Sequence, residues 1–122
     1  MRAMIVEPMQ PPRIEEIEPT LRNLQSIVGG YIEIVPAELG DSALVICNEE
    51  GKIDNLPPNR FVYDEEGIPY DMIAGTFIIC NENQDGELDS ITPEHEAKYM
   101  ERYSNEMIIS DVEVHRTDSL ER

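Results

Sequence analysis

The chain has no tryptophan, only two cysteines and two phenylalanines, and few basic residues: nine Lys and Arg stand against 26 Asp and Glu. Each shortage excludes something. Cys47 and Cys80 are too few for a disulfide scaffold and lie in no Cys-x-x-Cys or paired-histidine pattern, which removes a zinc site of ordinary spacing. They read as reduced, buried thiols acting as small apolar residues. No apolar run approaches the roughly 20 residues that span a bilayer. The N-terminus meets Glu7 and Pro8 too soon for a signal peptide, so a cytoplasmic protein is expected. The shortage of cations leaves a net charge of −17 on 122 residues. That field repels nucleic acid and anionic membranes and favours basic partners.

Hydrophobic residues make up 40% of the chain and fall in clusters such as ALVIC and TFIIC, which a disordered acidic tail would lack. Residues 3 to 6, AMIV, predict a first strand, and Arg13 to Glu18 predict a shorter partner stopped by Pro19. After Thr20, the spacing of Leu21, Leu24 and Val28 predicts an amphipathic helix ended by Gly29-Gly30. YIEIVP and SALVIC predict two paired strands, with Ile32 and Ile34 on one face and Tyr31 and Glu33 on the other. The turns NEEG, 48 to 51, and DEEG, 64 to 67, each offer a glycine for a bulged hairpin. MIAGTFIIC, 72 to 80, predicts one strand buried on both faces, with Gly75 marking a bulge or a close backbone approach. Thr92-Pro93 opens a second helix with Glu94 and Glu96 in its first turn and Ala97, Met100 and Tyr103 on one face. MIISDVEVH, 107 to 115, predicts an edge strand before a frayed end. The expectation is an α+β fold: two helices and a small mixed or antiparallel sheet of five to seven strands, with one domain over residues 1–104 and an extension over 105–122.

Chemistry-bearing patterns are sparse. Asn81 to Thr92 partly matches a calcium loop through Asn81, Asn83, Asp85, Gly86 and Asp89, but Thr92 replaces the bidentate carboxylate and a strand precedes it; a polar hairpin turn at Asp85-Gly86 fits better. His95, between Glu94 and Glu96 in the first turn of a helix, and His115, beside Arg116 in a polar segment, read as solvated surface residues rather than catalytic bases. Adjacent pairs such as Glu49-Glu50 point to opposite faces of a strand and share no proton. No enzyme, cofactor or metal site is therefore expected. The unusual stretch is Leu56-Pro57-Pro58-Asn59-Arg60, which has two readings. Either it is a rigid loop presenting Asn59 and Arg60 to a ligand, or Arg60 pairs with Asp54 or Asp71 and holds the loop, the second being favoured.

The succession VGGYIEIVP, CNEEGK, LPPNR, YDEEG, IAGTFIIC and SITPEHEAKYMERY resembles an uncharacterised domain family of Gram-positive bacteria, common on their phages, plasmids and conjugative elements. The likeness covers about residues 3 to 103, and LPPNR with Ile73-Ala74-Gly75-Thr76-Phe77 is its most specific part. That family carries no assigned catalytic residues, so the resemblance implies a mobile-element context without a mechanism.

Two functions follow. In the first, the domain inhibits a host defence nuclease or another nucleic-acid-binding effector by imitating nucleic acid. Alternate strand residues lie roughly 6.6 to 6.8 Å apart, close to the phosphate spacing, so Glu16-Glu18, Glu87-Asp89 and Asp111-Glu113 are candidate marks of such a ladder. The partner is then a basic protein, with no direct binding of nucleic acid or membrane. In the second, a non-catalytic module binds a protein or a small ligand through Leu56 to Arg60, a nucleotide-signal sponge included, which requires the fold to gather Arg13, Arg22 and Arg60.

Overall fold

Strands that are apolar at successive positions have no face to give to water and belong between two covering layers. The computed structural model describes residues 1–108 and 114–116. In chain order the elements are β1 (Arg2–Val6), β2 (Arg13–Glu16), α1 (Leu21–Val28), β3 (Ile32–Pro36), β4 (Ala43–Asn48), β5 (Pro58–Tyr63), β6 (Pro69–Ala74), β7 (Phe77–Glu82), β8 (Leu88–Asp89), α2 (Pro93–Asn105), β9 (Glu106–Ile108) and β10 (Val114–Arg116). The main sheet runs β2-β1-β7-β4-β3, with β8 paired to β7, and every pairing in it is antiparallel. β5 and β6 form a separate hairpin, as do β9 and β10. The fold is α+β.

Alternation sorts the core into two halves. Met4, Val6, Val45, Phe77 and Ile79 face α2 and the β5–β6 hairpin, where Tyr99, Tyr103, Val62 and Ile73 meet them. Ala3, Ile5, Ile46, Ile78 and Cys80 face α1 and pack on Leu24 and Val28. Each of these larger side chains contributes about 1.5–3 kcal/mol by leaving water.

Both helices begin where the sequence indicates. Thr20 Oγ1 accepts from Asn23 N at 3.2 Å and Thr92 Oγ1 from His95 N at 3.2 Å, so each threonine satisfies one free N–H of a first turn. Their buried stripes differ from the expected ones. Leu21 is exposed, because it lies in the first turn at the flank of the stripe made by Leu24, Ile27 and Val28. On α2 the buried residues are Tyr99 and Tyr103, with half-buried His95 one turn earlier; Met100 packs beside them as expected, whereas Ala97 falls on the opposite, exposed side.

The expected single strand over 72–80 is two strands in two sheets. Gly75, at φ +85°, turns the chain between β6 and β7, and its N–H donates to Pro57 O at 2.8 Å. The NEEG turn also differs: Gly51 has no positive φ and is needed for closeness, since a Cβ there would lie 2.6 Å from Ala74 O. β9 pairs with β10, in register Arg116 to Glu106, and among the described residues neither joins the main sheet; residues 109–113 of the expected edge strand lie outside the described residues.

Candidate functional site

Strand pairing gathers carboxylates at one end of the main sheet. Glu16 lies opposite Arg2, and Asp89 lies opposite Asn81. Asn81 also pairs with Ala43 of β4, so β8 occupies the other side of β7, the side that β1 takes further along. Ser90 Oγ accepts from Arg2 N and Ile91 N donates to Arg2 O, both at 2.9 Å, which brings β8 against the start of β1. Glu18 follows Ile17, whose N–H and C=O bond Met1 at 2.8 and 2.9 Å. Glu16, Glu18, Glu87 and Asp89 are all exposed around this end. Two cations dilute it: Arg2 reaches Glu96 with two bonds of 3.0 Å, and the Met1 ammonium lies 3.5 Å from Glu16. The same-face spacing within each pair is not kept, because Glu18 lies beyond β2 and Glu87 before β8. Asp111 and Glu113 lie outside the described residues.

In the LPPNR segment Arg60 has the structural role that the favoured reading gave it, but with partners other than the expected carboxylates, and neither Asn59 nor Arg60 is presented to a ligand. Asn59 and Arg60 are 0% exposed. Asn59 Nδ2 donates to Val6 O at 2.9 Å and Gly75 O at 2.8 Å, fastening the second sheet to the end of β1. Arg60 donates to Tyr103 O through Nε at 3.2 Å and Nη2 at 2.8 Å, to Gln10 O at 2.6 Å and to Asn59 Oδ1 at 2.7 Å. Its partners are carbonyls of the 7–12 loop and of α2, not Asp54 or Asp71; Asp71 is bound to Lys52. Burial pulls the guanidinium down to about 10, against the favourable charges of Tyr103 and Glu106. Only Leu56, Pro57 and Pro58 of the motif remain to line a cavity of about 440 Å³, with Lys52, Asn55, Met72 and Ala74.

A polar cluster at the start of α2 escaped the sequence reading. His95 is half-buried rather than solvated: Asn81 Nδ2 donates to its Nδ1 at 2.9 Å, so Nε2 carries the proton toward Asp41 Oδ1 at 2.6 Å. Asn81 is itself oriented by Thr92 N, which donates to its Oδ1 at 3.0 Å. Tyr99 OH and Lys98 Nζ donate to Asp41 Oδ2 at 3.0 and 3.1 Å, and Lys98 also meets Glu38 at 2.6 Å. Arg102 lies 4.3 Å from the centre of the Tyr63 ring. Burial alone would raise the Asp41 carboxyl, but the bonds from Lys98 and Tyr99 outweigh it and hold it at about 2. Burial, and then the charge of Asp41, pushes the Tyr99 hydroxyl well up. Both His95 nitrogens are occupied, so the ring has no free atom with which to take a substrate proton; the cluster locks α2 to the 38–41 loop. Its signal in the sequence was the pair Lys98 and Arg102 at i, i+4 against Glu38 and Asp41 at i, i+3.

The cysteines are buried, and burial raises Cys47 to about 11 and Cys80 to about 12. Cys47 borders a groove of about 340 Å³ between β3 and β6, whose walls include Glu33, Val35, Ile53 and Tyr70. The Asn81 to Thr92 segment makes the polar hairpin turn: Asn83 Oδ1 accepts from Asp85 N and Glu87 N, each at 2.9 Å. Arg13, Arg22 and Arg60 are not gathered. Arg13 is paired with Glu7 and Glu15, Arg22 rides on α1, and Arg60 is enclosed on the other face of the sheet with α2. Among the described residues no group of three or more His, Cys, Asp and Glu can hold a metal ion, and no helix is long and apolar enough to cross a membrane.

A family model described as a domain of unknown function (DUF3846) matches residues 1–104. No curated protein and no solved structure matches the chain.

Proposed function

We propose, from the premise that the chain belongs to the DUF3846 family of domains of unknown function, that it is a non-catalytic acidic domain that occupies the nucleic-acid groove of a basic protein. The observation that carries this reading is the placement of Glu16, opposite Arg2, and of Asp89, next to the Ser90 that bonds Arg2, on the two sides of the start of β1, with Glu18 and Glu87 exposed two residues along the chain from them. Most cations that would oppose them are already engaged: Arg2, Arg13, Lys52, Lys98 and Arg102 each hold a carboxylate. The charge of the chain therefore acts outward as an excess of carboxylates. The resemblance of the motifs to domains of phages and plasmids suggests a cytoplasmic target in the host, a defence nuclease or another nucleic-acid-binding effector. The competing reading, a binding loop at LPPNR, retains only Leu56, Pro57 and Pro58 as accessible groups.

The test is competition. The purified chain is titrated into DNA-bound defence nucleases, with release of labelled duplex as the readout. Release that weakens steeply with salt, and is reduced when Glu16 and Asp89 are both changed to lysine, supports the reading. Unchanged release by that variant, with full release lost on shortening Leu56 and Pro57 to alanine, would overturn it in favour of the loop.

A further inference from the structure

The opposite edge of the sheet is built differently. Just outside the β3–β4 ladder, Glu49 N donates to Tyr31 O at 2.8 Å and Ala37 N to Ala43 O at 2.9 Å. Backbone groups of successive strand residues point to opposite sides, so the odd-numbered residues of β3 face β4 while the N–H and C=O of Ile32 and Ile34 point away from it. Among the described residues no strand pairs with that edge. Natural edges are guarded by charged side chains, proline or a bulge; β3 carries one charge, Glu33, and its proline comes only at its end, so Ile32 and Ile34 keep their outward N–H groups. The side chains beside it are exposed apolar ones: Tyr31 at 71% and Ile34 at 45%, with Ile53 at 78% and Tyr70 at 49% on the rim of the adjoining groove. The groove also carries Glu33, Glu49 and Asp71 against a single cation, Lys52, which Asp71 holds at 2.5 Å.

We propose that this edge receives an extended segment of a basic protein by strand addition, with apolar side chains opposite Ile32 and Ile34 and a lysine or arginine between them opposite Glu33, on the groove side. Backbone pairing supplies the affinity, and the alternation of apolar and basic residues supplies the selectivity. A second copy of the chain is a poor occupant, since it would bring another Glu33 and a further charge of −17 to the same seam. The inference is independent of the acidic end, which lies on β2, β1 and β8.

The experiment follows amide hydrogen exchange in the full chain, using as probe an acetylated, amidated peptide that alternates valine and lysine. Ile32 and Ile34 amides exchange freely in the free chain and slow about tenfold or more with the peptide. A valine and glutamate peptide, and a valine and lysine peptide N-methylated along its pairing side, leave them unchanged. Ile34→Pro, which removes one outward N–H, abolishes the protection without lowering the melting temperature, and Glu33→Lys weakens it. Changing Glu16 and Asp89 to lysine leaves it intact, which separates this edge from the acidic end. Three results would each overturn the proposal: protection already present without peptide, whether it grows with protein concentration or not; no protection at saturating peptide; or equal binding by the N-methylated peptide, which would reduce the contact to charge alone.

Discussion

Arg60 shows how one side chain can stand in for missing strand pairing. Its guanidinium takes carbonyls from Gln10 and Tyr103 and the side-chain oxygen of Asn59, and so joins a loop, a helix and a hairpin that share no ladder. Truncation leaves those acceptors buried without donors, so Arg60→Ala should destabilise the chain by about 3–5 kcal/mol in urea unfolding. Arg60→Lys should recover only a small part, because an ammonium cannot span the same acceptors. Asp41 makes a pH-dependent contribution of the opposite chemical kind. Its folded value, about 2, lies below its ordinary 3.8, so its carboxylate stabilises the fold above 3.8 and that contribution is lost as pH falls through about 2. Melting temperatures measured from about pH 5 downward should fall less steeply for Asp41→Asn than for the parent chain, from a lower starting point.

At the scale of elements, the division between β6 and β7 depends on Gly75. A Cβ there would meet Leu56 Cδ1 at 2.7 Å, and the φ of +85° is itself unfavourable for other residues. The first problem is relieved by rotating a flexible side chain, while the second is not. Gly75→Ala should therefore cost about 1–3 kcal/mol by thermal or urea unfolding, and adding Leu56→Ala should not restore the loss. The apolar run Met72 to Cys80 hid this division because the end of β6 and most of β7 are buried and neither shows alternation to water there. Helix starts were easier to read, since a threonine cap, followed in α2 by a proline, acts through the nearest N–H groups alone.

For the whole molecule the net charge of −17 matters more than any single pair. The ion pairs of Arg13 and Lys52 are exposed and contribute little each, whereas the unpaired carboxylates repel one another through water. The melting midpoint should rise with sodium chloride between low ionic strength and about 0.15 M, where the screening length is ~8 Å. A midpoint that does not move would mean that the pairs around Arg2, Arg13 and Lys98 already balance the repulsion.

The α+β class, the strands at AMIV, YIEIVP and SALVIC, both helix caps and the acidic turn at Asp85-Gly86 were determined by residues within a few positions of each other. Local hydrogen bonds, φ preferences and a period of two act over that range, and they are written in the sequence. What the tertiary structure alone decided involves partners far along the chain. Asn59 meets Val6, Arg60 meets Tyr103, His95 meets Asp41, and Glu16 and Asp89 flank Arg2. Each contact depends on which strands are neighbours in the sheet, and that order follows from the joint packing of two layers on its faces, a property that no short window of sequence contains.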